Sequence, residues 1–119
     1  MSVDPASLVE RYYRALDEHA YDDLEDVLAP AFTQRRPDRT FESREAFVRF
    51  MREERPGRDT THELDEELLI DRHEPDEDGA RIVLARGRVL TPGGSTLVDF
   101  ADVFAVAAGR IERLDTYTR

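Results

Sequence analysis

Residues 95–118, STLVDFADVFAVAAGRIERLDTYT, limit the fold more than any other stretch of this chain. Successive strand residues point to opposite sides of a sheet. The run therefore separates into Val98, Phe100, Asp102, Phe104 and Val106 on one face, and Leu97, Asp99, Ala101, Val103 and Ala105 on the other. Both faces are largely apolar, as in a strand covered on both sides, by helices on one and with a second subunit as candidate cover for the other. Ala108-Gly109 fits a hairpin turn in which Gly supplies the positive φ. Arg110 to Thr118 then returns as a strand, with Ile111, Arg113, Asp115 and Tyr117 expected on one side. Asp102 is the odd residue out, a carboxylate in the middle of an apolar face.

The chain before this hairpin reads as helices, then strands. Asp4-Pro5 is a helix start, with a side-chain acceptor at the cap and Pro at the first helical position. Leu8, Tyr12, Ala15, Leu16 and His19 follow at helical spacing, with Glu10, Arg11, Arg14, Asp17 and Glu18 on the other side. A second helix is expected from Asp22 with Pro30 to stop it, then a short strand over residues 32–36 and a turn at Arg36-Pro37-Asp38-Arg39. Ser43 caps a third helix over residues 44–55, with Phe47, Phe50 and Met51 as its stripe and Pro56-Gly57 at its end. The period then changes to two. Residues 60–71 read as one strand with His62, Leu64, Glu66, Leu68 and Ile70 on a face, residues 74–79 as a polar turn, and residues 81–91 as a strand. Pro92-Gly93-Gly94 turns the chain into the hairpin. This order predicts a single α+β domain spanning residues 1–119, with three N-terminal helices packed on a strongly curved, mostly antiparallel sheet.

Composition excludes several classes of function. No apolar run approaches the roughly 20 residues that a membrane span needs, and no basic-then-apolar leader opens the chain, so a soluble, cytoplasmic protein is expected. Without cysteine there is no disulfide or thiolate metal site, and His19, His62 and His73 are scattered, so no metal or other cofactor is expected. The 27 acidic residues outnumber 17 basic ones, all of them Arg, for a net charge of −10. Such a surface repels nucleic acid and anionic membranes. An Arg-only complement fits a GC-rich genome. The acidic excess also resembles proteins of salt-rich cytoplasm, where a Debye length of about 3 Å at 1 M removes self-repulsion.

LVERYYRALDEHAYDDLEDVLAPAF, SREAFVRFM and DFADVFAVAAGRIERLDTY, in this order, resemble the nuclear transport factor 2-like superfamily, in particular its SnoaL-like branch of polyketide cyclases and their relatives. The resemblance covers nearly the whole chain and implies a cone-shaped fold, an apolar pocket between helix and curved sheet, and a homodimer through the outer sheet face. The superfamily hosts isomerases, cyclases, dehydratases and proteins without catalysis, so the resemblance specifies fold more than reaction. Compared with ketosteroid isomerases, Tyr12 falls on the position of the oxyanion-hole Tyr and Asp102 on that of the oxyanion-hole Asp. The position of the general base, directly before Pro37, holds Arg36, which accepts no proton.

Asp102 is therefore the candidate acid or hydrogen-bond donor, with Tyr12 assisting; a structural Asp paired with an Arg or a Tyr is the competing reading. Phe32, Phe50, His62, Leu84, Val98, Phe100, Phe104 and Tyr117 are candidate pocket lining, although a core uses the same residue types. His62 is a possible proton-transfer residue or a hydrogen-bonded core histidine. Arg86 and Arg88 are expected to neutralise either an acidic ligand or Glu66. Two functions remain open: a pocket protein for an apolar, oxygen-bearing small molecule, acting by cofactor-independent proton transfer as an isomerase or cyclase, and a non-catalytic dimerisation or protein-interaction domain.

Overall fold

The first helix, α1 (Pro5–Asp17), begins where Pro5 fixes φ at the first helical position. The computed structural model describes residues 4–55, 59–65, 70–72 and 80–119. Asp4 stands at the cap position in extended conformation, but its carboxylate accepts from the Ser7 hydroxyl at 3.0 Å instead of from the helix backbone. Leu8, Val9, Tyr12, Tyr13, Ala15 and Leu16 are all buried, a stripe wide enough to bring both tyrosines to the sheet. His19 is not on this stripe. It adopts φ 58° and closes α1 in a Schellman arrangement, with Ala20 N–H donating to Ala15 O at 2.8 Å and His19 N–H to Leu16 O at 3.3 Å.

The second helix, α2 (Tyr21–Val27), runs directly into β1 (Leu28–Arg35), so Pro30 lies inside a strand and does not mark a gap after the helix. Proline is tolerated there because the register between β1 and its neighbour shifts between Leu28 and Thr33. The turn at Arg36–Arg39 closes with Arg36 N–H donating to Arg39 O at 2.8 Å and folds back a short strand absent from the sequence reading, β2 (Thr40–Phe41). Ser43 caps α3 (Arg44–Glu53) by accepting from Ala46 N–H at 3.1 Å, and Phe47, Val48, Phe50 and Met51 are buried.

The single strand expected over residues 60–71 is two strands, β3 (Thr61–Leu64) and β4 (Ile70–Arg72), each antiparallel to a different part of β5 (Arg81–Leu90). The expectations for Pro56-Gly57, Glu66, Leu68 and residues 74–79 lie outside the described residues. The hairpin of β6 (Thr96–Ala107) and β7 (Arg110–Thr118) completes a seven-stranded sheet of order β2-β1-β7-β6-β5-β3, with β4 also on β5. Every pairing is antiparallel except β1 with β7. This is the α+β architecture of helices against one face of a mixed, mostly antiparallel sheet. Among the described residues no helix is long and apolar enough to cross a membrane.

Two register shifts decide which side chains face α1. Between β6 and β7, Ala105 pairs with Arg113 but Val106 with Ile111, so Glu112 is an extra residue in β7. Alternation changes phase there. Ile111 faces inward as expected, whereas beyond the bulge Leu114, Thr116 and Thr118 stand opposite Phe104, Asp102 and Phe100, and Arg113, Asp115 and Tyr117 turn outward. The second shift, where Val89 pairs with Val98 but Leu90 with Thr96, makes Leu97 the extra residue of β6. The inner core is filled by Phe32, Phe47, Phe104, Leu28, Ile111 and Leu114, all without solvent exposure.

Candidate functional site

Where α1 crosses β6, the inner face is not sealed. A cavity of about 250 Å³ lies between them, with Tyr12, Tyr13 and Leu16 from α1, Phe50 and Met51 from α3, and Val98, Phe100 and Asp102 from β6 among its lining. Its floor is buried, while Leu97 at its rim is 61% exposed. The bulge in β6 puts Leu97 on this rim beside Val98, not on the opposite face where strict alternation places it. The volume lies just below the range of about 300–1,000 Å³ typical of drug-sized ligand sites, which suits a molecule of one or two rings.

Among the described residues, the polar groups on this floor form two hydrogen-bonded pairs that face each other across the β6–β7 ladder. The Tyr13 hydroxyl donates to Asp102 Oδ2 at 2.5 Å, and Asp102 is only 5% exposed. Asp102 Oδ1 is buried without a hydrogen-bond partner among the described residues. Across the β6–β7 ladder stands Thr116, whose hydroxyl accepts from Gln34 Nε2 at 2.9 Å, and Gln34 Oε1 is a second buried acceptor left without a partner. Burial pushes the Asp102 carboxyl above the usual aspartate range; the Tyr13 and Thr116 hydroxyls and the charges of His62 and Arg36 act in the opposite direction. Burial, then the Asp102 charge, holds both Tyr12 and Tyr13 well above the ordinary phenol range, so both remain O–H donors.

A second polar pair borders the cavity. His62 Nδ1 lies 2.6 Å from Asp17 Oδ1, and the His62 backbone N–H donates to Asp17 Oδ2 at 3.0 Å. The imidazole packs against the rings of Tyr13 and Phe100, at centroid distances of 5.3 and 5.7 Å. Among the described residues no cluster of three or more His, Asp or Glu side chains converges on a metal position.

The structure brings Asp102, Tyr12, Phe50, His62, Val98 and Phe100 together around this cavity. It separates four other residues from it. Phe32 and Phe104 are fully buried in the core beneath. Leu84 and Tyr117 are 39% and 60% exposed on the outer face, because Val83 and Ala85 take the inward positions of β5 and the bulge at Glu112 reverses the phase of β7. Tyr13, not Tyr12, holds Asp102. Tyr13 was legible as Val9-Tyr13-Leu16 at helical spacing, and Gln34 as the residue sharing a face with Phe32. Nothing local in the sequence marks Thr116, whose direction depends on the bulge.

A SnoaL-like domain family model matches residues 9–114, nearly the whole described fold. The chain belongs to the SnoaL-like family. The comparison with curated proteins finds no match. Among solved structures, this SnoaL-like chain is similar to an NTF2-like protein of unknown function from Cytophaga hutchinsonii, with TM-score 0.75, 16% identity and coverage of 100% of this chain and 93% of that one. It is also similar to a provisionally assigned polyketide cyclase from Sinorhizobium meliloti, with TM-score 0.71, 21% identity and coverage of 93% and 94%. A third likeness is to the canthaxanthin-binding orange carotenoid protein of Anabaena, with TM-score 0.77 and 23% identity over 97% of this chain but only 36% of that protein. At these identities the likeness establishes the fold. In this SnoaL-like domain the guanidinium of Arg36, before Pro37, reaches the cavity, lies 3.2 Å from Asp38 and stands over the Phe50 ring at 6.0 Å. It can attract an anion there but cannot take up a proton.

Proposed function

We propose that this SnoaL-like protein binds a small apolar molecule carrying a carbonyl or hydroxyl oxygen and rearranges it by proton transfer, as a cofactor-independent isomerase or cyclase. The observation that carries this reading is the free Asp102 Oδ1, buried at the apolar floor beside a tyrosine hydroxyl. A buried oxygen without a partner costs about 1–3 kcal/mol, and a ligand hydroxyl donating to Oδ1, or a ligand carbonyl accepting from it when Oδ1 is protonated, would remove that cost. Burial raises the Asp102 pKa, and the protonated form donates to a carbonyl, more strongly as negative charge develops on that oxygen. Tyr12, which also lines the cavity, assists.

A thermal-shift titration with 2-naphthol and other planar phenols, in high KCl, tests this. Stabilisation of the wild type that is lost in Asp102→Leu is the expected result. A wild type indifferent to every phenol and ketone tried would sink the reading.

The non-catalytic alternative is favoured by the outer sheet face, where Leu84 and Tyr117 are exposed beside Ala101 and Val103. This face suits a second copy of the chain, and we read the protein as a homodimer through it. Sedimentation of the wild type against Leu84→Arg checks this, since a monomer in both leaves the face without that role. The charge of −10 argues against nucleic acid and anionic membrane as partners and accords with a cytoplasmic protein.

A further inference from the structure

The proposed chemistry needs a base, and neither Arg36 nor Asp102 can serve as both acceptor and acid at once. We propose that His62, oriented by Asp17, is the general base of this site and that its substrate is an enolisable ketone of one or two rings. The inference rests on the proposed pocket function.

Three geometric facts support it. The Asp17 carboxylate takes both the backbone N–H and Nδ1 of His62, fixing the ring on two sides. A carboxylate accepts only, so it holds the proton on Nδ1; in the neutral ring Nε2 then carries the lone pair. Nε2 has no hydrogen-bond partner among the described residues, and the ring borders the cavity. The third fact is the spacing of base and anchor. Tyr13 touches both, with its ring 5.3 Å from the imidazole and its hydroxyl 2.5 Å from Asp102. A ketone whose oxygen lies at Asp102 Oδ1 and whose ring lies along Tyr13 therefore presents an adjacent C–H on the His62 side.

The step balances without a co-reactant. Nε2 takes the proton from the carbon next to the carbonyl, and the C–H electron pair becomes the enolate π bond. The charge that develops on oxygen is held by the Asp102 O–H, while the other carboxyl oxygen keeps the Tyr13 hydroxyl as its donor. The imidazolium then returns its proton to the far carbon of the dienolate when the ketone is β,γ-unsaturated, which moves the double bond into conjugation, or to the alkoxide formed when the enolate adds to a second carbonyl of the same molecule. Asp17 is a positioning residue, because it acts only through His62.

A purely structural pin between β3 and α1 would show the same hydrogen bonds, so the test must read chemistry. The probes are 2-tetralone, followed by NMR for exchange of its α-protons with deuterium, and 2-naphthol as the enolate mimic. Wild type is expected to accelerate exchange over buffer, and His62→Gln to lose about 100-fold of that acceleration with 2-naphthol affinity nearly unchanged. Asp17→Asn should lose less. Long-range proton–nitrogen NMR of the wild type above neutral pH, which needs no variant to fold, should find Nδ1 protonated and Nε2 bare, with Nε2 shifting when 2-naphthol binds. Full exchange by His62→Gln, or a protonated Nε2 with bare Nδ1, overturns the assignment. A wild type that binds 2-naphthol but exchanges nothing removes the base and leaves the pocket standing. Failure to bind 2-naphthol as well removes the underlying reading and the base with it.

Discussion

Asp102, between Phe100 and Phe104 on the inner face, keeps its proton to higher pH than an exposed aspartate because burial disfavours its charged form. The linkage follows in sign. A carboxyl whose folded value is raised binds more protons folded than unfolded, so its contribution to stability is complete below the unfolded value of about 3.9 and is lost as pH rises through the folded value. The unfolding free energy of Asp102→Asn, measured in urea across the acid range, should therefore fall less steeply with pH than that of the wild type. Parallel curves would mean an ordinary carboxyl. The two tyrosines divide in the same terms. Tyr13→Phe leaves Asp102 Oδ2 buried without its donor and should cost about 1–3 kcal/mol in urea unfolding. Tyr12→Phe deletes a hydroxyl with no hydrogen bond among the described residues and should cost well under 1 kcal/mol. Equal losses would contradict the pairing. Asp102 was legible in the sequence as a charge among phenylalanines, but which tyrosine reaches it was not, since adjacent helical residues differ by about 100° and the stripe of α1 is broad enough for both.

Strands carry the larger share of what the sequence left open, because a period of two holds only while the ladder is regular. One extra residue, Glu112, turns Tyr117 outward and Thr116 and Thr118 into the cavity, although Ile111 before it obeys the expected phase. The turn of the same hairpin was foreseen at Ala108-Gly109, but both residues take positive φ, 51° and 74°, and the second alone is glycine. Alanine is strained in that region by about 1 kcal/mol, and Asn-Gly is a favoured pair for such turns. Ala108→Asn should accordingly stabilise the protein by about 1 kcal/mol; no gain in its denaturation midpoint would argue against this turn. Gly87 tests a close approach of strands. A Cβ there would stand 2.1 Å from Glu63 O, a backbone atom of β3 next to His62. Gly87→Ala should cost about 2–3 kcal/mol and push His62 away from Asp17, visible as a changed imidazole signal. Wild-type stability and an unchanged imidazole would show that β3 does not lie so close.

At the scale of the whole molecule the deciding quantity is the imbalance of 27 acidic against 17 basic residues. Salt acts on it in two opposed ways. It weakens attractive surface pairs, such as Arg11 with Asp23 and Arg88 with Glu63 and Asp65, and it screens the repulsion among the excess acidic residues. Exposed pairs contribute about 0–1 kcal/mol each, and these stand at partly exposed side chains, so their loss is small. The repulsion of a net −10 is shared by the whole surface and is larger in the folded state, where the charges are brought closer together. Screening should therefore win. Unfolding free energy is expected to rise by at least about 1 kcal/mol, with a gain of about 4 °C in Tm, between dilute buffer and molar KCl. Urea denaturation at each salt concentration measures this directly, and KCl and NaCl should act alike if charge screening is the cause. A flat or falling dependence would mean that attractive pairs offset the imbalance, and would leave the arginine-only complement to codon usage rather than to a salt-rich cytoplasm.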